Sequence, residues 1–196
     1  MGTICAHFYL YMESIMNCEE FDHIDNYINS NIQPYTRELI SEFAVLWNLY
    51  ETVLRKYEHG TRGIDKVVST IDFNNDCGLC AKVNKLYDRL VKYIKDKGEF
   101  EVNSLVSRYS IFTVDSDYPH RKRDISTEDL NHIMNSEAPK DRLYFLLLIS
   151  TKVRNNMFHG IKDIPTLDHQ MAQFIICNET LKIIIDKRVD WRKYNV

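Results

Sequence analysis

The amino-acid sequence predicts an all-α protein, because two independent features favour helices. Glycine and proline account for only 6 and 4 of the 196 residues, which is few for a turn-rich β fold. Apolar residues also recur at three- and four-residue spacing through several long stretches, which is typical of helices with one face in a core. The length and the 44% hydrophobic content fit one domain with a sizeable core. We therefore predict a helical bundle of four or more main helices.

The N-terminal part of the chain, residues 1–34, is interpreted as an extension to a helical domain at residues 35–196. Residues 3–12 fit either a strand or a short helix, and residues 21–32 fit a short helix or a loop that closes at Pro34. The extension carries five acidic side chains and no lysine or arginine.

The first long helix is predicted over residues 35–58. Its apolar stripe consists of Ile40, Phe43, Leu46, Trp47, Tyr50, Leu54 and Tyr57. His59 and Gly60 should end it, with Gly60 as the C-terminal cap.

A second helix is predicted over residues 78–97, and Gly98 should end it. Its apolar face consists of Leu79, Val83, Leu86, Leu90, Val91 and Ile94. Residues 103–112 form a shorter candidate helix, and residues 115–124 a charged loop.

The C-terminal third should contain three more helices. The residues STED at 126–129 resemble a capping box that opens a short helix to about Asn135. Pro139 suits the first turn of a helix that runs to about Phe158, and Pro165 does the same for the last helix. The seam of that last helix consists of Leu167, Met171, Phe174, Asn178, Leu181 and Ile185.

The cysteines and the hydropathy pattern predict a soluble cytoplasmic protein. Cys5, Cys18, Cys77, Cys80 and Cys177 lack the spacing of a disulfide framework. The pair at 77 and 80 is a lone CxxC without the second pair that structural zinc requires, so cysteines at a helix start are favoured over zinc or redox chemistry. The N-terminus lacks the basic segment of a secretory leader, and no apolar run approaches the ~20 residues of a membrane span.

The charge is unevenly distributed along the chain. The net charge is −3, which by itself does not indicate a nucleic-acid-binding protein. Outside the extension, however, the chain has 25 basic and 23 acidic side chains, and residues 140–196 alone have a net charge of +4. A positive C-terminal region is compatible with a polyanionic partner.

The most informative stretch for function is RNNMFHG at residues 154–160, at the end of the most apolar predicted helix. An arginine, two amides and a histidine within six residues are hard to explain as core filling. Arginine is always charged, and histidine exchanges a proton near neutral pH. Arg154 and His159 therefore supply a phosphate clamp and an acid–base group, which are the minimal kinds of group needed to cut RNA without a metal.

The residues alone leave two interpretations of this motif open. Arginine and histidine near a helix C-terminus interact favourably with the helix dipole, and a glycine that follows is ordinary capping. Alternatively, the motif is a site. Positions 154 and 159 lie about 140° apart on a continuous helix, but unwinding at Gly160 would bring the imidazole toward the guanidinium. Asn155 and Asn156 disfavour helix interiors and hydrogen-bond well at a terminus.

The motif resembles the Arg-x4–6-His signature of the HEPN superfamily, including the polar residue after the arginine, here Asn155. The Phe-His-Gly ending is similar to that of many bacterial members. The all-helical context agrees, with the motif late in the chain and ahead of a final amphipathic helix. The resemblance covers residues 35–190 as architecture and only the motif itself as sequence.

The resemblance implies a metal-independent endoribonuclease, often a toxin or an antiphage effector, with no cofactor. By position, Arg154 would bind the phosphate, His159 would act as base or acid, and Asn155 would orient the site. The expected partners are an RNA substrate, a second copy of the chain in a homodimer, and an antitoxin or regulatory protein. The alternative is a non-catalytic HEPN-like module that binds RNA, nucleotide or protein.

Two further features could contribute to such a site. The basic run Arg121, Lys122 and Arg123 could contact an RNA backbone, although charge runs are usually solvated. Glu51 could face the motif from the first long helix, but a solvated helix carboxylate is the preferred interpretation.

Overall fold

The helices of the protein confirm the predicted all-α class. The computed structural model describes residues 26–54, 61–109, 111, 125–158 and 164–188. The α-helices are α1 (Pro34–Leu54), α2 (Thr61–Ser69), α3 (Cys77–Lys95), α4 (Val102–Tyr109), α5 (Thr127–Met134), α6 (Pro139–Phe158) and α7 (Met171–Arg188), and a 3-10 helix (Ile164–Gln170) precedes α7. A short helical segment at 26–31 leads into α1.

The core is centred on α6, which packs against α2, α3, α4, α5 and α7. Residues Phe145–Ser150 of α6 are all buried, and a helix that is apolar nearly all round belongs in an interior. Two edge-on aromatic pairs fix its surroundings: Tyr87 of α3 packs on Phe145 at 5.8 Å, and Phe43 of α1 packs on Phe174 of α7 at 5.9 Å, both between ring centroids. The motif at the end of α6 therefore follows directly from a fully buried helical segment.

The predicted ends of two helices are confirmed by their caps. Gly98 has a φ of 70°, and the amides of Gly98 and Glu99 donate to the carbonyls of Lys95 and Ile94 at 2.8 and 3.1 Å, which is a Schellman ending. At the start of α5, Ser126 is the N-cap and its hydroxyl accepts from the Asp129 amide at 2.9 Å. The Ser126 hydroxyl donates to the Asp129 carboxylate, whereas in a full capping box this carboxylate would accept from the Ser126 backbone amide.

Polar contacts fix α1 against α7. The buried Asn178 amide of α7 donates to the Leu39 carbonyl at 3.0 Å and to the Glu42 carboxylate at 2.7 Å. The Lys182 ammonium hydrogen-bonds the same carboxylate and holds the pKa of Glu42 below its usual value. Because the pKa of Glu42 is lower in the folded chain than in the unfolded chain, its ionised carboxylate stabilises the fold fully at pH values above the unfolded-state pKa. This stabilisation is lost as the pH falls through the folded-state pKa.

The structure differs from the sequence-based expectation in two elements. Helix α2 was not predicted, although Ile64, Val67 and Val68 are buried at helical spacing. The last α-helix was predicted from Pro165 but begins at Met171, because residues 164–170 adopt a 3-10 helix. The backbone N–H of Gln33, just ahead of α1, donates to both carboxylate oxygens of Asp168 in this segment, at 3.1 and 3.2 Å.

Other predicted boundaries are partly tested. Helices α1, α3, α4 and α6 match their predicted positions within a few residues. The predicted end of the first helix at Gly60, the loop at 115–124 and the segment 3–12 lie outside the described residues. The division at residue 34 stays a prediction, and Ile32 just before it is buried in the same core. Among the described helices, none is long and apolar enough to cross a membrane.

Candidate functional site

Arg154 lies in the last turns of α6, where the helix emerges from the core. Val153 and Asn156 on either side of it are buried, with 1% and 5% exposure, whereas the Arg154 side chain is 31% exposed. The helix ends at Phe158, and His159 and Gly160 lie outside the described residues. The arginine of the predicted site is thus held by the core and open to solvent at its end.

A cluster of three side chains, the Trp47–Glu51–Arg154 cluster, joins α1 to the end of α6. The Glu51 carboxylate atom Oε1 accepts from Trp47 Nε1 at 2.7 Å and lies 3.4 Å from Arg154 Nη2. The Arg154 guanidinium carbon lies 5.7 Å from the centroid of the Trp47 ring, in cation–π range. Trp47 and Glu51 are four residues apart on one helix, so their side chains share a face.

The geometry of the cluster orients Arg154 without binding it tightly. Glu51 and Arg154 are 36% and 31% exposed and 3.4 Å apart, and solvent-exposed ion pairs contribute about 0–1 kcal/mol to stability. The shorter contact holds Glu51 on Trp47, which is itself buried. An anionic ligand can therefore replace or share the carboxylate at small cost, since a guanidinium has five N–H donors.

The two asparagines after Arg154 have different partners. Asn155 Oδ1 accepts from Arg154 Nη1 at 3.2 Å. Asn156 points inward, and its Nδ2 donates to the Arg108 carbonyl at the end of α4 at 3.4 Å. The first amide therefore contacts the motif arginine, and the second connects the end of α6 to the end of α4.

Aromatic rings pack against the Trp47 side of the cluster. Trp47 packs on Tyr50 at 5.3 Å and on Phe43 at 6.1 Å between centroids, and Phe43 continues to the core through Phe174. Tyr50 is fully buried, and this burial raises the pKa of its phenol far above the usual value. The ring therefore stays neutral and forms an apolar base under Trp47.

Glu51 faces the motif arginine, which was the less favoured interpretation: it contacts both Trp47 and Arg154, although its side chain is 36% exposed. The sequence held a partial signal, because a tryptophan N–H and a carboxylate four residues apart can bond on one helix face. The other half of the cluster lies 103 residues away, which spacing alone cannot reveal.

The remaining candidates are placed as follows. Cys77 and Cys80 occupy the first turn of α3, as expected of helix-start cysteines. Arg121, Lys122 and Arg123 lie outside the described residues, so their contact with RNA stays a prediction. In the described part of the chain, no group of three or more histidine, cysteine or acidic residues could hold a metal ion.

Two shallow cavities of about 210 and 220 Å³ lie between the start of α3 and the end of α7. They share Leu79 and Lys187 in their linings, and Arg154 lines neither. We therefore assign the motif, and not these cavities, as the candidate site.

Comparison with known proteins identifies no relative: no protein family, curated protein or solved structure matches the chain. The HEPN resemblance accordingly depends on the motif at 154–160 and on the all-helical context.

Proposed function

We propose that this protein is a metal-independent endoribonuclease, of the kind that serves as a cytoplasmic toxin or antiphage effector. The observation that carries the proposal is the placement of Arg154, an accessible guanidinium oriented by Glu51, Asn155 and Trp47. A charged group held by packed neighbours and still partly exposed, here 31%, is what binding of an anionic reacting group requires. His159 follows one residue after the described end of α6.

In the proposed reaction, the ribose 2′-oxygen attacks the adjacent phosphorus and the 5′-oxygen of the next nucleotide leaves. A base removes the 2′-proton, and an acid protonates the departing oxygen. Negative charge accumulates on the phosphorane between these events, and Arg154 is the residue assigned to stabilise it. His159 is assigned the proton transfers, because imidazole both accepts and donates near neutral pH.

Glu51 is assigned as a positioning residue for Arg154. Its carboxylate fixes the guanidinium against the Trp47 face before RNA arrives, which lowers the entropic cost of ordering a long side chain on binding. Its negative charge also opposes a phosphate on the same guanidinium. Positioning of the guanidinium favours RNA binding and the negative charge disfavours it, so the two effects can be separated by substitution of Glu51.

A homodimer would complete the site. One histidine cannot serve both as base and as acid on opposite sides of phosphorus in a single in-line displacement, whereas two copies supply two. A two-fold axis is the commonest oligomer symmetry.

The product ends test the reaction class. RNA cleaved by the purified protein should carry 2′,3′-cyclic phosphate and 5′-hydroxyl ends, and cleavage should be unchanged in EDTA because the proposed groups are organic side chains only. Mapping of end chemistry on cellular RNA after induction gives the measurement. Ends with 5′-phosphate, or activity that returns only with Mg²⁺, would exclude the mechanism.

Substitution of Glu51 tests its positioning role. Glu51→Gln retains Oε1 as an acceptor for Trp47 and Arg154 but removes the charge, so RNA binding should tighten by up to about fivefold, which corresponds to an exposed ion pair of up to ~1 kcal/mol. Glu51→Ala removes the acceptor and should lower kcat. Binding is measured by titration with a non-cleavable 2′-deoxy substrate.

Glu38→Gln is the matched control, because it removes the same charge from an exposed position on α1. It should alter neither RNA affinity nor kcat beyond the small effect of net charge. Equal effects of Glu38→Gln and Glu51→Gln would contradict a specific contact with Arg154.

The second candidate function is a non-catalytic module that binds RNA or protein, and the Glu51–Arg154 contact favours it. A carboxylate that neutralises the motif arginine lowers the positive potential available for chemistry. Cell growth on expression distinguishes the two candidates. An active nuclease inhibits growth and its motif variants do not, whereas a binding module gives the same growth with the wild type and with the motif variants.

A further inference from the structure

The start of α3 places two thiols on one helical turn. Asp76 is the N-cap, and Cys77 and Cys80 are the first and fourth residues of the helix. Cys77 is exposed, whereas Cys80 is half-buried and its thiol donates to the Phe73 carbonyl at 3.2 Å. The accessible thiol and the sheltered thiol therefore differ in the same way as an attacking and a resolving cysteine.

The spacing of the two residues suits a disulfide at a helix start. Residues three apart on an α-helix have Cα atoms about 5 Å apart, within the range of about 4.4–6.8 Å found in disulfides. Their Cβ atoms lie about 5–6 Å apart, and a disulfide needs about 3.5–4.5 Å, so the first turn must tighten. The first amides of a helix have no carbonyl partner within the helix, and here the Asp76 carboxylate and carbonyl accept from the Leu79 and Cys80 amides, so tightening of the turn acts on these cap contacts.

We propose that Cys77 and Cys80 form a redox-active dithiol that a low-molecular-weight disulfide of the glutathione class converts to an intramolecular disulfide. This site is separate from the Trp47–Glu51–Arg154 cluster and does not depend on the proposed nuclease activity. The chemistry of the oxidant is that of any small exchangeable disulfide. No metal takes part in it.

The exchange proceeds in two displacements that balance. The Cys77 sulfur, as thiolate, attacks one sulfur of the oxidant, the oxidant's S–S bond breaks, and one small thiolate leaves and takes up the proton from Cys77. The Cys80 sulfur then attacks the Cys77 sulfur of the mixed disulfide and releases the second small thiolate, which takes up the proton from Cys80. The protein loses two hydrogen atoms, and the oxidant is reduced to two thiols.

Oxidation would also be transmitted to α7. The Asp76 carboxylate accepts from the Leu79 amide at 2.8 Å and from the Lys187 ammonium at 2.6 Å. Tightening of the first turn moves the cap on which both contacts depend. The redox state of the pair is thereby coupled to the end of the helix that follows the motif.

The native full-length chain, treated with oxidised glutathione and then alkylated, provides the test. Trypsin releases residues 67–82 as one peptide that contains Cys77 and Cys80 and no other cysteine. We expect this peptide to lose both alkylation sites and the mass of two hydrogen atoms, and to regain both sites after dithiothreitol. Cys177→Ser is the matched control at a buried cysteine and should leave this conversion unchanged.

Single variants separate the two steps. Cys80→Ser should retain a glutathione adduct on the exposed Cys77, whereas Cys77→Ser should leave Cys80 unmodified, and neither loses the helix. A peptide that stays fully alkylable under native conditions, that carries glutathione on both cysteines, or that is cross-linked to another cysteine would overturn the proposal.

Discussion

Replacing Arg154 with alanine should lower RNA cleavage by about two to three orders of magnitude, the effect typical of removing one group that stabilises developing charge. His159→Ala should have an effect of about two to four orders of magnitude, because acid–base catalysis contributes on that scale. Both losses should appear in kcat with purified protein and as relief of growth inhibition in cells. Cleavage that persists unchanged in both variants would show that the chemistry lies elsewhere.

The fold should survive the Arg154 substitution. The side chain is 31% exposed, and its contacts include an ion pair with Glu51, a hydrogen bond to Asn155 and a cation–π contact with Trp47, each worth about 1 kcal/mol. We therefore expect thermal unfolding to shift by only a few degrees, measured by circular dichroism. A shift this small in the unfolding temperature would show that the loss of cleavage comes from the missing guanidinium and not from unfolding.

Arg154→Lys sharpens the same prediction. Lysine keeps the positive charge but cannot make two parallel hydrogen bonds to a phosphate, and an ammonium does not stack on indole as a planar guanidinium does. Most activity should be lost although net charge is conserved. Arg89→Ala, at an exposed position on α3, is the matched control for the cation lost in Arg154→Ala and should retain activity. If Arg154→Lys were fully active, Arg154 would act only as a point charge.

Helix positions were largely predictable from the sequence because burial and capping leave local signals. The apolar faces of α1 and α3, Gly98 after α3 and Ser126 before α5 were each identified from neighbouring residues. The 3-10 segment was not, because Pro165 equally suits the start of an α-helix. Its Asp168 bonds Gln33, which lies 135 residues earlier, and only the folded chain brings the two together.

The candidate site shows the same division between local and tertiary information. Arg154 and Asn155 were identified because they interrupt an apolar helix end, which is a local feature. Glu51 was undervalued because its role comes from contact with a helix more than a hundred residues away. Trp47 was interpreted as core, and it is buried, but its ring and its N–H also form part of the site.

The proposed homodimer predicts how mixtures of subunits behave. In an equimolar mixture of wild type and His159→Ala after full exchange, random pairing leaves about one quarter of the dimers with two intact subunits. If both histidines are needed, activity per total protein should fall to about one quarter, whereas independent subunits would retain about one half. The protein should also sediment as a dimer at the assay concentration.

The control for this experiment is a mixture with the Arg89→Ala variant, which should retain full activity after the same exchange. The same two proteins assayed at once after mixing, before exchange, should give about one half, since dimers have not yet re-sorted. A monomer in sedimentation that still cleaves RNA, with activity near one half at all times, would rule out a shared site. The second acid–base group would then have to come from within the chain or from a different partner protein, because the stereochemistry of in-line displacement still requires proton transfer on both sides of the phosphorus.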